Sequence, residues 1–394
     1  MNNTYEWGDG VFTLLSWFKK ERVKNARVLV AGAGALGNEV VKDLALFGVG
    51  HIYVVDFDQI ELSNLTRSVL FREEDALQHR YKAEVVARRA KEINPQIEVT
   101  PIVGNLFSEV GLGLYRSVDV VIGCLDSRLA RYQLNRLSFR AGKSWIDGSI
   151  ENLTGTVRVY TPGMSCYECG LSREEFNHIM LRTGCADVVR LQTSTGRVAT
   201  TPISASIVGA IQVQEAMKII HINPDEESPF QTLQGKMLRY EGMVNAMNIY
   251  RYASWKKNCP AHEQWDDVVE GPGLSAQLKV GEALARIKRL LDVGALEINM
   301  RNNKFIDKIV ADRPEREFEV MLPESKLDAF IDGNKELRQL SYKTLFHKSF
   351  YENIDVEFPY QDLTLQEIGI PPYDIIEVST DKGLFHVELS DDRF

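Results

Sequence analysis

Gly32-Ala33-Gly34-Ala35-Leu36-Gly37 follows an apolar run, RVLVA at 27–31, and opens a segment at 38–47 with helical periodicity. Glycines placed between a strand and a helix let backbone N–H groups approach a phosphate chain, and the helix N-terminus adds partial positive charge. The loop therefore commits the start of the chain to a strand–turn–helix unit. A second strand, HIYVV at 51–55, ends at Asp56, where a carboxylate accepts ribose hydroxyls. Neither feature separates ATP from NAD. A dehydrogenase would look the same to this point.

Further strands are expected at 97–102 and 118–122, with a helix at 82–93 between the second and third strands. This alternation predicts an α/β fold with a doubly wound, Rossmann-like, mostly parallel sheet. Residues 10–25 place Val11, Leu14, Leu15 and Phe18 on one helical face, which predicts an amphipathic N-terminal helix packed on that sheet. Thr156 to Thr161 opens a different region. A helix at about 204–220, apolar on most faces, is expected to be buried or at an interface. Composition changes at Gly271-Pro272-Gly273, so one domain over 1–265 and a second over 275–394 are expected in this chain of 394 residues. The second should hold a helix near 280–291 and strands at 317–321, 374–378 and 384–389.

A net charge of −9 argues against a nucleic-acid surface. The apolar runs 118–123 and 203–210 are short for a membrane span, and residues 1–10 lack the core of a signal peptide. These readings predict a cytoplasmic protein without a membrane partner. Its five cysteines then point to metal binding or catalysis rather than to disulfides.

Residues 56–67, DFDQIELSNLTR, put the Asn64 amide and the Arg67 guanidinium within a turn of each other, and Lys82 opens a helix fifteen residues on. Hydride transfer has no need of a second set of cationic phosphate ligands. Attack at the α-phosphorus of a triphosphate does, because charge develops on the leaving pyrophosphate. Each base taken alone could equally be an ordinary solvated side chain.

The glycine loop, the DxDxIxxSNLxR string and Cys124-Leu125-Asp126-Ser127 with Arg131 and Asn135 together resemble the ThiF/MoeB/ubiquitin-activating superfamily, over roughly residues 26 to 262. The resemblance implies ATP-dependent adenylation of the C-terminal glycine of a ubiquitin-like or sulfur-carrier protein. Gly32, Gly34, Gly37 and Asp56 would hold the nucleoside and phosphates; Asn64, Arg67 and Lys82 would hold the triphosphate; Asp126 would bind Mg2+. Ser127 stands where the family usually has asparagine. The Arg-Tyr-x-Arg-Gln string that donates an arginine across a homodimer in MoeB-like members does not occur before Arg27. Arg22, Lys19 and Lys20 remain open as substitutes, and a homodimer is the family expectation.

Cys166-x-x-Cys169 and Cys259-x-x-His262 are two half-sites that make a four-ligand structural zinc centre. Cys124 reads as a small core residue. Cys185 lies between the half-sites, where thioester-forming members keep their catalytic cysteine, and Arg182 and Arg190 could lower its pKa. A structural role for it remains open. The tail from Leu363 to Val378 resembles the end of a ubiquitin-like β-grasp domain, which implies recruitment of a conjugating enzyme. Such a compact chain looks similar to activating enzymes of bacterial ubiquitin-like operons linked to antiviral defence. A sulfur-carrier adenylyltransferase that stops at the adenylate and a catalytically silent partner subunit are the alternatives.

Overall fold

A computed structural model describes residues 7, 10–183, 199–222, 228–301, 303–312, 315–341, 344 and 346–390. The chain forms two compact units, one from Met1–Leu106 with Tyr115–Gln264, the other from Phe107–Leu114 with Trp265–Phe394. The first unit begins with α1 (Lys20–Asn25), β1 (Arg27–Ala31), α2 (Ala35–Phe47), β2 (His51–Val55), α3 (Glu73–Leu77), α4 (Lys82–Ile93) and β3 (Glu98–Ile102). After α5 (Leu112–Ser117), whose residues 112–114 belong to the second unit, it continues through β4 (Val120–Gly123), α6 (Arg128–Arg140), β5 (Trp145–Glu151) and β6 (Thr154–Tyr160). It ends with α7 (Arg173–Thr183), α8 (Pro202–His221), β7 (Lys236–Glu241) and β8 (Ala246–Arg251).

These strands form one sheet in the order β3-β2-β1-β4-β5-β6-β7-β8. The first five run parallel and the last three antiparallel. The expected Rossmann-like core is present, and β6–β8 extend it. The central strands are apolar without alternation because both faces are covered. Val28, Val30, Ile52, Val54, Val120 and Ile122 are buried with Val40, Val41 and Leu44 of α2 and Val85 and Val86 of α4. Burying each such side chain fully is worth about 1.5–3 kcal/mol. The strand order reverses between β1 and β4, so the loops after those two strands flank the crevice in which doubly wound folds bind ligands.

One expectation is corrected in this unit. Residues 10–25 are not one helix: a 3-10 turn at Val11–Leu14 precedes α1, and Val11 and Leu14 are 72% and 83% exposed. Neither Gly10 nor Lys19 caps a helix with its side chain, and aromatic contacts of Phe12 with Phe18 and Phe47 anchor the segment instead. The helix expected at about 204–220 is α8, which is long and apolar enough by length and composition to cross a membrane. It is a core helix. Ala205, Val208, Val213 and Ala216 are buried, and the buried Gln212 and Glu215 find their partners inside the protein.

The second unit holds β9 (Val268–Gly271), α9 (Val280–Leu291), β10 (Leu296–Asn299), β11 (Phe305–Asp312), β12 (Glu315–Pro323), α10 (Glu324–Gly333) and α11 (Lys335–Ser341). It closes with β13 (Phe346–Tyr351), β14 (Asn353–Ile354), β15 (Ile375–Thr380) and β16 (Gly383–Leu389). A five-stranded sheet has the order β14-β10-β15-β16-β9, and a three-stranded sheet the order β12-β11-β13. Val280, Ala283, Leu284 and Ile287 of α9 join the core of the larger sheet. That spacing of one apolar face made α9 legible in the sequence. The segment before β15 is a run of turns closing at Gly369, whose φ of +103° is a conformation that glycine adopts without a Cβ penalty.

Candidate functional site

The loop after β1 uses its three glycines in three ways. Gly32 has φ +98°, and a Cβ there would stand 2.5 Å from the Cys124 carbonyl oxygen. A Cβ on Gly37 would stand 2.0 Å from the Gly32 carbonyl oxygen, so only glycine lets α2 pack this close to the loop. Around Gly34 nothing lies within 4 Å. That side faces open space. Gly34 is the N-cap of α2, no side chain caps the helix, and no acid stands in its first turn. The positive end of the helix is thus uncompensated, as an anion-binding helix requires.

Asp56 ties this loop to the end of β2. Its Oδ2 accepts from Ala33 N at 2.7 Å and its Oδ1 from Asp58 N at 2.8 Å. Burial pushes its carboxyl above the usual carboxylate range, opposed by Lys82 and by these two N–H donors. Lys82 pairs with Asp58 at 2.6 Å. Asn64 Oδ1 accepts from Glu61 N at 3.0 Å, and Arg67 donates to Ser63 O at 2.9 Å. The structure therefore joins Asp56 to the glycine loop and Lys82 to Asp58, while Asn64 and Arg67 bond within their own turn.

Asp126 follows β4 and is exposed. The turn that presents it is pinned from two helices. Gln212 of α8 donates to Gly123 O at 2.9 Å and Ile146 O at 3.2 Å, joining the end of β4 to the start of β5. Arg131 of α6 donates to Asp147 at 2.7 Å, to Gly148 O at 3.2 Å and to Leu125 O. Asp147 is fully buried and also accepts from Arg158 at 3.2 Å. Burial opposes the charge of Arg131, but Asp147 outweighs it and holds the guanidinium protonated. Cys124 is half-buried, with burial pushing its thiol pKa up. It is not a reactive thiolate.

The ligand atoms of Cys166, Cys169, Cys259 and His262 lie within 4.8 Å of one another. The Cys166 sulfur is 3.8 Å from that of Cys169 and 3.7 Å from that of Cys259, and Cys169 Sγ is 3.4 Å from His262 Nε2. Four ligands set tetrahedrally at about 2.3 Å from one zinc ion would have sulfurs about 3.8 Å apart. The observed spacings fit that figure. The His262 ring stacks between Phe139 and Trp255. Glu168, inside the first half-site, receives both arms of Arg136 at 2.8 and 3.1 Å.

Cys185 and Arg190, with the side chain of Arg182, lie outside the described residues. Arg22, one open substitute for the missing arginine, donates to His221 O at 2.5 Å. Sequence reasoning missed α6, Asp147, Arg158 and Gln212. Ser127 as an N-cap and a lone amide inside an apolar helix were the available signals.

A model of the ThiF family matches residues 12–261. The adenylyltransferase and sulfurtransferase MOCS3 of Anopheles gambiae is 32% identical over 239 residues, 60% of this chain and 50% of its own length. The SUMO-activating enzyme subunit uba-2 of Caenorhabditis elegans is 36% identical over 157 residues, 39% of this chain and 27% of its own. These matches span half or less of either relative. The Escherichia coli MccB structure solved with ATP superposes with a TM-score of 0.51 at 24% identity, over 66% of this chain and 75% of its own, a likeness of fold.

Proposed function

Because the chain belongs to the ThiF family, we propose that it adenylates the C-terminal glycine of a ubiquitin-like or sulfur-carrier protein with ATP. The observation that carries this reading is the crevice between β1 and β4. There an uncapped helix N-terminus and open space at Gly34 face the ends of the strands that bear Asp56 and Asp126. In the proposed reaction the carrier's carboxylate oxygen bonds to the α-phosphorus. The bond from that phosphorus to the bridging oxygen breaks, and pyrophosphate leaves with both electrons. Arg67 and Lys82 take up the charge that develops there, with Lys82 exchanging Asp58 for phosphate. Asp126 would hold Mg2+ alongside the phosphates, since that ion binds through one or two carboxylates plus substrate oxygens.

Cys166, Cys169, Cys259 and His262 would hold Zn2+. It would supply a closed structural cross-link rather than chemistry. A structural role agrees with two fully or nearly buried cysteines and a histidine enclosed by rings. The orphaned, buried Nδ1 of His262 leaves Nε2 as the ligand atom directed at Cys169.

The onward step is also a proposal: the Cys185 thiolate attacks the acyl-adenylate carbonyl and AMP leaves, giving a thioester for a conjugating enzyme. The C-terminal unit would recruit that enzyme as a ubiquitin-fold-like module. Its mixed five-stranded sheet beneath α9 and its β15–β16 hairpin support this, and β11–β13 with α10 and α11 are inserted between β10 and β14. A second reading, adenylation for sulfur transfer without the thioester, is favoured by the likeness to MOCS3, named for both activities. A homodimer, a cytoplasmic location and a role in antiviral conjugation complete the proposal. Incubation with ATP, Mg2+ and a glycine-terminated carrier tests the onward step. A thiol-sensitive adduct lost in Cys185→Ala is expected. An adduct that survives that change excludes Cys185.

A further inference from the structure

One helix, α6, touches both the nucleotide end of the first unit and the Cys/His cluster. At its start Arg131 holds Leu125 O, one residue before Asp126. One turn on, along the same face, stands Asn135. Asn135 is fully buried, and its Oδ1 accepts from Trp145 Nε1 and from Tyr167 N, both at 3.1 Å. Tyr167 directly follows Cys166. The other half of the amide, Nδ2, is buried and meets no acceptor at full hydrogen-bond geometry. The candidate acceptor is the sulfur of Cys166, the residue that directly precedes the Tyr167 N–H held by Oδ1. A neutral thiol is a weak acceptor, whereas a metal-bound thiolate is a strong one. The orphaned donor is therefore what a metal-loaded cluster would satisfy. On the next face of the helix, Arg136 locks Glu168 between the two cysteines.

We propose that Asn135 is a positioning residue that couples the metal centre to the nucleotide site: its amide engages the metal-bound Cys166 thiolate, fixing α6 and with it the Arg131 clamp on the Asp126 turn. The coupling rests on the adenylation and zinc readings above and adds a claim to them, namely that metal occupancy sets nucleotide affinity. Outer-sphere partners of this kind typically change metal affinity by about 10–100-fold. Coupling free energies between sites commonly correspond to a factor of about five or more, and the effect is reciprocal.

The test uses the full chain. Zinc affinity is measured by competition with a chromogenic chelator, and ATP affinity by calorimetry, on wild type and on Asn135→Asp, which keeps the acceptor and removes the donor. Arg136→Gln is the second variant, milder because it leaves the buried amide intact. Wild type is also measured after chelator stripping and after reloading. The expected result is zinc affinity lower by about tenfold or more in Asn135→Asp. ATP binding should weaken by about fivefold in both Asn135→Asp and stripped wild type, and be restored by excess zinc. Purely structural damage would not be restored by zinc. ATP affinity that stays within twofold of wild type while zinc affinity falls, or a loss that zinc does not repair, overturns the coupling and leaves both parent readings standing. A wild-type chain that binds no zinc or no ATP overturns it together with the parent reading concerned.

Discussion

The two ends of α6 are built on opposite principles. Near its start, polar groups are left open: Asp126 is exposed, nothing lies within 4 Å of the Gly34 Cβ position, and the first turn of α2 is uncapped. Near its end the groups are mostly enclosed, with Cys259 and His262 half-buried. Cys166 and Cys169 are 0% and 3% exposed, the His262 ring is held between two others, and Arg136 saturates Glu168. Open donors suit a ligand that comes and goes, whereas four enclosed N/S ligands suit one that is bound once and kept. Substitutions at the two ends should accordingly split into losses of activity and losses of fold.

The largest expected effect lies at the hinge between them. Asp147→Asn leaves Arg131 and Arg158 buried without their carboxylate, so a loss of about 3–5 kcal/mol in chemical denaturation is expected. Next comes Asp126→Ala, which should leave the denaturation midpoint unchanged and lower adenylation by about 10²–10³-fold. A melting shift as large as that of Asp147→Asn would break the comparison. Within the glycine loop the contrast repeats itself. Gly37→Ala forces a methyl onto the Gly32 carbonyl and should cost about 1–3 kcal/mol, while Gly34→Ala should be neutral for stability and weaken ATP binding. Calorimetry with ATP beside thermal melts separates the pair.

The smallest effect is a pH dependence at Asp56. Its carboxyl is raised by burial, so folding favours the protonated form. The stability it contributes is present below its unfolded pKa and lost as the pH rises through the folded value. Nucleoside binding runs the other way, because the ionised form is the better acceptor for ribose hydroxyls. Adenosine, which lacks titrating phosphates, should bind more weakly as the pH falls through a range above that of an ordinary aspartate. A flat profile would remove Asp56 from the site.

The parallel part of the first unit was legible because β1, β2 and β4 are short apolar runs that the fold buries on both faces, and because the glycine loop marks where β1 gives way to α2. The Cys/His cluster was legible from spacing alone. The antiparallel extension β6–β8 was only partly visible: β8 is almost wholly exposed, so no buried face imprints a pattern on it. α6 escaped notice because its low apolar content hides a helix whose buried face includes the polar residues Asn135 and Ser138. The clamp on the Asp126 turn was illegible for a different reason. Arg131, Asp147, Arg158 and Gln212 come from α6, β5, β6 and α8, and only tertiary packing brings them together.

The central claim is that the open end of this unit activates a carboxylate with ATP. Exchange of labelled pyrophosphate into ATP, with Mg2+ and a ubiquitin-like or sulfur-carrier protein ending in glycine, tests it directly. The account predicts exchange that depends on the carrier's terminal glycine and disappears in Asp126→Ala. A chain that binds NAD in preference to ATP and shows no carrier-dependent exchange would contradict it.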